Sequence, residues 1–415
     1  MTMNIKTMDD FDFKGKTVLV RLDLNSPLDK SGEITDDRRF LSHVETLKEL
    51  IGKNAKIVVI AHQSRPGKKD FTTMEKHAAR LSKIINHPVA YNETLFGTFA
   101  RETIKNLKEK EILMLENVRF DSEENFKYPE EADGVCPYAK KADTHLVRKL
   151  STVVDIYVND AFGTAHRCQP SVVGFNQVLP YCAGRLMEKE LKILEEVITN
   201  PKHPVTFILG GAKADDSIEV AKRALENGAD KILIGGLVAN IFLASQFWIG
   251  DASINVIKEN KMTGQIDIAG NLYKKYRSRI IMPIDVAVER NGERFEIPVD
   301  KLTIDDHPAK DCPIYDIGHK TLDAYIKIIK GSKTVLANSV MGFTEKKDFD
   351  YATNETLKAI AESDAFSVLG GGSTVSVARK LKIDDKFDWV STGGGASMDF
   401  LAGKKLPAVE ALKRK

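Results

Sequence analysis

The 415-residue sequence contains little cysteine, and its four cysteines are widely spaced. Cys136, Cys168, Cys182 and Cys312 form no C-x-x-C pair. This spacing argues against a zinc site and against a disulfide framework, and it suits a reducing cytosol. We therefore expect a cytoplasmic protein without a disulfide framework.

Long apolar runs and a strong charge of one sign are also missing. No stretch approaches the roughly 18 apolar residues of a membrane-spanning helix, and residues 1–12 lack the apolar core of a signal peptide. The formal net charge is only +2, so the molecule as a whole is not expected to bind polyanions. The sequence predicts neither a membrane nor a nucleic-acid partner.

Several motifs of common nucleotide enzymes are absent. The pattern G-x-x-x-x-G-K-[ST] does not occur, which argues against an ordinary P-loop enzyme. The pattern G-x-G-x-x-G is missing too, which weakens a dinucleotide-binding interpretation. Neither H-R-D nor D-F-G occurs, and this excludes a protein kinase.

Short apolar runs are spread along the whole chain, each followed by glycine or polar residues and then by a helical stretch. Continuous apolar strands that alternate with helices are typical of an α/β fold with parallel sheets covered on both faces. The runs comprise residues 18–22, 57–61, 112–115, 153–158, 205–209, 231–234, 279–282, 334–337, 366–369 and 389–391.

The length of the chain predicts two domains. The best boundary lies around residues 179–185, and apolar residues then fall at helical spacing from 186 to 198. We predict a first lobe over residues 1–180 and a second over 185–400, connected by this helix. Residues 401–415 are too few for a domain and must pack on one of the lobes.

Cationic and polar side chains follow the apolar runs of the first half, at the strand ends where parallel sheets bind ligands. A single arginine after a strand is usually a surface residue. Several at one sheet edge are harder to explain in that way, because the fork of arginine matches pairs of carboxylate or phosphate oxygens. The set predicts a pocket for a small, multiply anionic ligand. Its members are Arg21, Asp23, Asn25, His62, Arg65, Arg119, Asn159, Asp160, His166 and Arg167, with Arg38 and Arg39 nearby.

Glycine replaces the cations at the strand ends of the second half, where Lys213 is the exception. The strings are LGGAK, LIGGLVAN, LGGGSTVS and STGGGAS. Such glycines either merely permit tight strand-to-helix turns or let phosphate approach the backbone at a helix N-terminus. Four such turns in one half favour the second interpretation. The second half is therefore predicted to bind a nucleotide.

Nearly the whole chain resembles the phosphoglycerate kinase family. The resemblance rests on strings that occur in the family's order and spacing: VRLDLNSPLDKSGEITDDRRF, LENVRF, VNDAFGTAHR, MEKEL, LGGAK, DIGHKT, LGGGSTVSVARK and STGGGASMDFLAGKKLPAVEAL. It implies two Rossmann-like lobes with parallel sheets, joined by a hinge helix, with the C-terminal tail returning to the first lobe. It also implies phosphoryl transfer between 1,3-bisphosphoglycerate and ADP, which gives 3-phosphoglycerate and ATP.

The resemblance implies roles for individual residues. Arg39, rather than Arg38, matches the catalytic arginine, Lys213 matches the lysine that contacts the moving phosphoryl group, and the amides of Gly394 and Gly395 face that group. The implied substrate-binding residues are Arg21, Asp23, Asn25, Arg39, His62, Arg65, Arg119, His166 and Arg167. The implied nucleotide-binding residues are Lys213, Gly235, Gly236, Asn338, Glu345, Gly371, Gly372, Ser373 and Thr374.

The implied chemistry needs no general base, because the acceptor carboxylate is already ionised at neutral pH. Catalysis then reduces to alignment and charge stabilisation, with Mg²⁺ carried on the phosphates of ATP or ADP rather than in a protein metal site. Arg39 and Lys213 lie in different lobes. The lobes must therefore close during the reaction.

Three positions depart from the family pattern. Ser373 stands where the family has an aspartate near the metal, Ser217 stands where it has a second lysine, and residues 338–342 read NSVMG. Mg²⁺ is therefore expected to be held mostly by phosphate and water. An alternative is a catalytically silent relative that binds phosphorylated metabolites. A nucleotide-dependent dehydrogenase would carry the dinucleotide fingerprint that is missing here.

Overall fold

The computed structural model describes residues 4–302 and 311–413. The chain divides into two compact units, which we call the first unit (Met1–Lys192 with Lys405–Lys415) and the second unit (Ile193–Lys404). The division falls within helix α8 (Arg185–Thr199), where the apolar spacing predicted a helix. The last two residues of the predicted tail, 414 and 415, lie outside the described residues.

The first unit is built on a six-stranded parallel sheet with the strand order β3-β4-β2-β1-β5-β6. The central strands are apolar and buried on both faces, as the continuous runs predicted. The strands are β1 (Thr17–Arg21), β2 (Lys56–Ile60), β3 (Val89–Tyr91), β4 (Ile112–Met114), β5 (Ile156–Asn159) and β6 (Tyr181–Ala183).

The longer helices of this unit bury apolar residues at helical spacing. In α3 the buried residues His77, Ala78, Leu81 and Ile85 recur at helical spacing, and the helix ends at Asn86 in the left-handed conformation. The helices of the unit are α1 (Arg38–Ser42), α2 (Val44–Gly52), α3 (Glu75–Ile85), α4 (Thr98–Asn106), α5 (Ser122–Asn125), α6 (Tyr138–Ala142), α7 (His145–Leu150) and α17 (Pro407–Leu412). Short 3₁₀ helices follow β4 (Val118–Phe120) and β5 (Phe162–Thr164), and a π-helical turn spans Pro170–Gly174.

The C-terminal segment of the first unit is held by backbone contacts. The Ala408 N–H donates to the carbonyl of Ala165 at 3.1 Å, and the Lys6 N–H donates to the carbonyl of Leu412 at 3.3 Å. The hydroxyl of Tyr138 donates to the carbonyl of Pro407 at 3.1 Å. These contacts fix α17 against the rest of the first unit.

The second unit contains a six-stranded parallel sheet, β15-β14-β13-β7-β8-β9, and a three-stranded antiparallel sheet, β11-β10-β12. The strands are β7 (Val205–Leu209), β8 (Lys231–Ile234), β9 (Ile280–Ile281), β10 (Asp285–Arg290), β11 (Glu293–Pro298), β12 (Ile314–Ile317), β13 (Thr334–Asn338), β14 (Phe366–Gly370) and β15 (Trp389–Val390). The helices are α9 (Ala214–Glu226), α10 (Gly236–Ala244), α11 (Asp251–Glu259), α12 (Gln265–Tyr276), α13 (His319–Gly331), α14 (Tyr351–Ala361), α15 (Gly372–Lys380) and α16 (Gly395–Leu401).

The predicted α/β fold with two parallel sheets is confirmed, and the antiparallel sheet is an addition to it. Strands β10 and β11 form a hairpin whose two-residue turn, Asn291-Gly292, has φ values of +54° and +82°. An Asn-Gly pair between two strands is a strong hairpin signal. The sequence carries this signal at residues 291 and 292.

The structure contains one disulfide, although the spacing of the cysteines argued against a disulfide framework. Cys136 and Cys168 are joined by a disulfide in the first unit, with their Cα atoms 5.6 Å apart. The separation of 32 residues hides the pairing from sequence reasoning, because only the fold brings the two positions together. Cys182 and Cys312 are free. Among the described residues, no helix combines the length and the apolarity needed to cross a membrane.

Candidate active site

The predicted anion-binding residues of the first unit follow strands β4, β2, β1 and β5, which are neighbours in the sheet. Parallel strands end at the same edge, so residues far apart in sequence come together there. In strand order they are Arg119, then His62 and Arg65, then Arg21, Asp23 and Asn25, then His166 and Arg167. Arg39 lies in α1. We call Arg21, Arg39, Arg65, Arg119 and Arg167 the arginine cluster.

Arg21 ends β1, and its side chain is fully buried. Its Nη2 donates to Nδ1 of His62 at 3.2 Å, and its Nε donates to Oγ of Ser171 at 3.0 Å. Burial lowers the pKa of Arg21 from its usual value, against the opposing effect of the Glu124 carboxylate. Burial, together with the surrounding arginines, lowers the pKa of His62 well below its usual value. His62 is therefore neutral at pH 7, with Nδ1 as an acceptor and the ring proton on Nε2.

The adjacent residues Arg38 and Arg39 contact different carboxylates. Arg39 forms an ion pair with Asp23, whose side chain is only 6% exposed. Arg38 pairs with Asp36. Burial lowers the pKa of Arg39 to about 10, so it stays charged at neutral pH. Gly163 lies against the Arg39–Asp23 pair, and a Cβ at this position would overlap the Asp23 carboxylate.

Arg119 is nearly buried. Its Nη1 donates to the carbonyl of Ser64. The backbone N–H of Ser64 in turn donates to Oδ1 of Asn25 at 2.8 Å. Nη2 of Arg119 is buried and has no hydrogen-bond partner among the described residues. Burial, reinforced by the charge of Arg167, lowers the pKa of Arg119 to about 10. A buried cation short of partners is expected where the missing counter-ion is a ligand.

Arg65 and Arg167 complete the cluster at the surface, where solvent still reaches both residues. Partial burial lowers the pKa of Arg167, and the positive charge of Arg65 lowers it further. His166 and Arg167 line a cavity of about 370 Å³. The cluster thus concentrates positive charge that a multiply anionic ligand would neutralise.

Sequence reasoning missed Glu124, which orients the buried arginine. Its carboxylate accepts from the N–H and the Oγ of Ser171 at 2.9 and 2.6 Å. Ser171 in turn accepts from Arg21. Burial raises the pKa of Glu124, while the Arg21 charge lowers it. No local pattern signals this role, because Glu124 lies in the ordinary charged stretch DSEEN.

A buried histidine also links the segment after β1 to the residue that caps helix α8. His43 Nδ1 lies 2.7 Å from Oδ2 of Asp160, and His43 Nε2 lies 3.1 Å from the backbone nitrogen of Asp23. Asp160 Oδ1 accepts from the N–H groups of Leu186 and Met187 at 2.9 and 3.3 Å. Asp160 was predicted to lie at a strand end, and in the structure its carboxylate caps the first turn of α8. His43 carried no signal in the sequence.

The second unit has an open cleft of about 660 Å³ at the carboxyl edge of its parallel sheet, which we call the glycine cleft. Helices α9, α10, α15 and α16 all begin at its lining. Helix N-termini carry unpaired N–H groups and the positive end of the helix dipole, so four of them favour phosphate. The predicted residues that line the cleft are Lys213, Gly236, Asn338, Glu345, Gly371, Gly372, Ser373, Thr374, Gly394 and Gly395.

Two different structural requirements explain the glycines that were predicted to bind the nucleotide. Gly371 has a φ of +80° and Gly394 a φ of +50°, a region that other residues rarely adopt, and each caps a helix that begins at the cleft. Gly235 does not line the cleft. A Cβ there would come within 2.7 Å of Cα of Met341, so this glycine permits close packing of the backbone.

Two of the sequence departures lie in different places. Ser373 is exposed in the first turn of α15 and lines the cleft. Ser217 is buried in α9, where its Oγ donates to the carbonyl of Gly210 at 3.3 Å, and it does not line the cleft.

One wall of the cleft was not predicted from the sequence. It is apolar, and its side chains come from α10, α11, β12 and the loop after β13. Apolar side chains beside a few polar groups suit a flat heteroaromatic ring. The residues are Leu237, Val256, Ile314, Val340 and Phe343.

Comparison with known proteins shows the family of the chain. The family model described as phosphoglycerate kinase matches residues 8–404. The chain belongs to the phosphoglycerate kinase family. The phosphoglycerate kinase of Methanothermus fervidus is 48% identical over 98% of this chain and 96% of its own length. That of Methanothermobacter thermautotrophicus is 48% identical over 100% of this chain and 98% of its own.

Solved phosphoglycerate kinases agree with the fold. The crystal structure of the enzyme from Pyrococcus horikoshii matches with a TM-score of 0.86 and 41% identity, over 98% of both chains. The structure from Coxiella burnetii matches with a TM-score of 0.79 and 28% identity, again over 98% of both chains. The chain is thus a phosphotransferase with a carboxyl group as acceptor, and it transfers a phosphoryl group reversibly between 1,3-bisphosphoglycerate and ADP. Nothing in the comparisons supports a catalytically silent relative.

Proposed function

We propose that the arginine cluster of the first unit binds 3-phosphoglycerate or 1,3-bisphosphoglycerate, and that the glycine cleft of the second unit binds ATP or ADP. The carrying observation is the contrast in chemistry between the two sheet edges. One edge carries five arginines, and burial together with four of them lowers the pKa of the neutral His62. The other offers four helix N-termini beside an apolar wall. A small polyanion suits the first edge, and a nucleotide suits the second.

Asp23, Asn25, His62 and His166 are proposed to supply the neutral and anionic contacts to the substrate. The neutral His62 presents its Nε2 proton as a hydrogen-bond donor, while Asp23 is an acceptor for a hydroxyl group. Asn25 is fixed by the N–H of Ser64. These groups give the site directional contacts in addition to its positive charge.

Arg39 and Lys213 are proposed to stabilise the phosphoryl group in transfer, together with the amides of Gly394 and Gly395. The acceptor is an ionised carboxylate, so the reaction needs orientation and positive charge rather than a general base. Arg39 belongs to the first unit and Lys213 to the second. Their joint action on one phosphoryl group requires domain closure during the reaction.

Mg²⁺ is proposed to arrive with the nucleotide. The cleft offers the hard oxygen donors that Mg²⁺ prefers, among them Asp216, Glu345 and Ser373. Among the described residues, no cluster of three or more histidine, cysteine, aspartate or glutamate side chains could hold a metal ion alone. Phosphate oxygens and water would therefore supply most of its ligands, and the bound ion would offset the charge of the nucleotide phosphates.

The enzyme is proposed to act in the cytoplasm, in glycolysis and gluconeogenesis, because its substrates are the phosphorylated intermediates of central metabolism. The near-neutral net charge of +2 fits small-molecule substrates and no nucleic-acid partner.

The decisive experiment is a spectrophotometric assay that couples formation of the acyl phosphate to its reduction. The purified enzyme should require both 3-phosphoglycerate and MgATP, with saturation by each. Calorimetry on the separate ligands should show 3-phosphoglycerate binding that depends on the arginine cluster and nucleotide binding that does not. Equal weakening of both ligands by a substitution in the cluster would contradict the two-site assignment.

A further inference from the structure

The segment that carries His166 and Arg167 runs into the disulfide of the first unit. Cys168 directly follows Arg167 and is bonded to Cys136. The two cysteines, His166 and Arg167 all line the same cavity of about 370 Å³. A covalent cross-link therefore lies beside two residues that we assign to substrate binding.

The backbone is held differently on the two sides of Arg167. Towards the N-terminus, the Arg167 N–H donates to the carbonyl of Thr164 at 2.9 Å, and the carbonyl of Ala165 accepts from Ala408. Towards the C-terminus, neither the N–H nor the carbonyl of Cys168 pairs with another backbone group in the described part of the chain. The next anchored residue is Gln169, whose carbonyl accepts from the N–H groups of Val172 and Val173 at 2.9 and 3.0 Å. The disulfide therefore adds a restraint on Cys168 itself, between the hydrogen-bonded residues Arg167 and Gln169.

The other end of the cross-link is anchored. Cys136 lies just before α6, whose Lys141 has a side chain that is 1% exposed. Lys141 Nζ pairs with Glu131 at 2.8 Å and donates to the carbonyl of Phe126 at 2.7 Å. The segment before Cys136 is therefore fixed to α6, and the disulfide transmits this rigidity to Cys168.

We propose that the Cys136–Cys168 disulfide positions Arg167 for the phosphorylated substrate, and that its reduction weakens substrate binding but not nucleotide binding. The proposal rests on the substrate-binding role assigned to Arg167 above. Cys136 and Cys168 are positioning residues, because they act through Arg167 and not on the reacting atoms. Loss of the cross-link would let the exposed Arg167 sample more conformations, and the entropy of ordering it would then oppose binding.

The bond is open to small reductants, because both cysteines are only half-buried. A thiolate of dithiothreitol attacks one sulfur, breaks the S–S bond and forms a mixed disulfide. The second thiol of the reagent then displaces the protein sulfur. The protein gains two electrons and two protons as two thiols, and dithiothreitol is oxidised to its cyclic disulfide.

The test compares KM for 3-phosphoglycerate, KM for MgATP and kcat before and after treatment with dithiothreitol. Thiol titration of the unfolded protein should count the two free cysteines before treatment and all four after it. Reduction should raise KM for 3-phosphoglycerate by about three- to tenfold. This rise is smaller than that expected from complete loss of a charge-assisted contact, because Arg167 is still present. KM for MgATP and kcat should stay within about twofold, and reoxidation should restore the original values.

Variants provide the matched controls. Cys136→Ser should show the raised KM of the reduced enzyme and should no longer respond to dithiothreitol. Cys312→Ser removes a free cysteine of the second unit and should keep both the original KM and the response. Should Cys136→Ser fail to fold, the reversible reduction of the parent enzyme still decides the question.

Three results would overturn the proposal: four titratable thiols in protein purified without reductant, an unchanged KM after complete reduction, or an equal rise of KM for MgATP. An unchanged KM for 3-phosphoglycerate in Arg167→Ala is a separate outcome. It would remove the role of Arg167 on which the proposal rests, whatever the thiol count shows.

Discussion

The guanidinium of Arg39 in α1 is paired with the carboxylate of Asp23 in the segment after β1. This pair joins the residue proposed to act on the phosphoryl group to one proposed to bind the substrate. Arg38, one position earlier, is paired with Asp36. The two adjacent arginines therefore differ in the carboxylate that each one contacts.

Replacing Arg39 should affect the transition state more than the ground state. Removal of a preorganised donor typically costs 10²–10³ in kcat, about 2.7–4 kcal/mol, and we expect this loss in Arg39→Ala. KM for either substrate should change by less than about tenfold, because other residues hold the ground state. Steady-state kinetics gives both values.

Two variants control for the position and the shape of the charge. Arg38→Ala should stay within a few-fold of the parent enzyme. Arg39→Lys should recover only part of the loss, because an ammonium group cannot present a guanidinium fork. A crippled Arg38→Ala beside an active Arg39→Ala would show that the two roles are exchanged.

Gly163→Ala should disrupt the Arg39–Asp23 pair. The added methyl group would overlap the Asp23 carboxylate, so the pair must move. A misplacement of about 1 Å can cost roughly 100-fold in rate, and we expect kcat/KM for 3-phosphoglycerate to fall by about 10- to 100-fold. Gly52→Ala is the control, since no atom lies within 4 Å of a Cβ at that position. If kcat/KM fell equally in both variants, the steric argument would be wrong.

Arg65→Ala should weaken 3-phosphoglycerate binding and leave nucleotide binding unchanged. A lost charge-assisted contact costs about 1.5–3 kcal/mol, or roughly 10- to 150-fold in Kd. Arg148→Ala removes another surface arginine of the first unit, one that pairs with Asp143, and should have no effect. Calorimetric titration with each ligand measures both Kd values.

Ser373→Asp should lower the Mg²⁺ concentration needed for half-maximal rate. The new carboxylate would stand in the first turn of α15, at the lining of the glycine cleft, where it can offer the ion a hard ligand. Ser376→Asp adds the same charge on an exposed position of α15 outside the cleft lining and should not change the requirement. Calorimetry of ATP binding with and without Mg²⁺ gives a readout that does not depend on activity. An unchanged or raised requirement in Ser373→Asp would mean that the ion is held elsewhere.

His77 should make the first unit less stable in acid. Its ring is buried in α3, and burial lowers the pKa of His77 from 6.5 to about 4. The unfolded chain therefore takes up a proton more readily than the folded chain as pH falls below 6.5. The free energy of unfolding is therefore unaffected by the titration of His77 above pH 6.5, and it falls progressively as the pH is lowered from 6.5 to 4.

The expected loss from His77 between pH 8 and pH 5 is about 2 kcal/mol in the free energy of unfolding. Urea unfolding of the parent enzyme and of His77→Gln at both pH values isolates this contribution, because other titrating groups are common to both proteins. The parent should lose more stability than the variant on acidification. Identical losses would show that His77 does not titrate in this way.

Much of the fold could be read from the sequence, because a strand buried on both faces must be a continuous apolar run. The run at residues 18–22 became β1 and that at 205–209 became β7, while the helical spacing after residue 185 became α8. Strands β3 and β6 were missed because they are the two edge strands of the first sheet and do not lie in an aliphatic run such as that of β4. The cations and glycines at strand ends could be located in the sequence as well, because the apolar runs show where each strand ends.

Other features depended on partners that only the folded chain brings together. Arg21 is held by Ser171, which lies 150 positions later, and Ser171 is held by Glu124. The disulfide between Cys136 and Cys168 and the contact of His43 with Asp160 are of the same kind. A sequence specifies which backbone segments are buried through local periodicity, but hydrogen bonds and cross-links depend on distances of a few ångströms. Those distances are set by the tertiary packing of the whole unit.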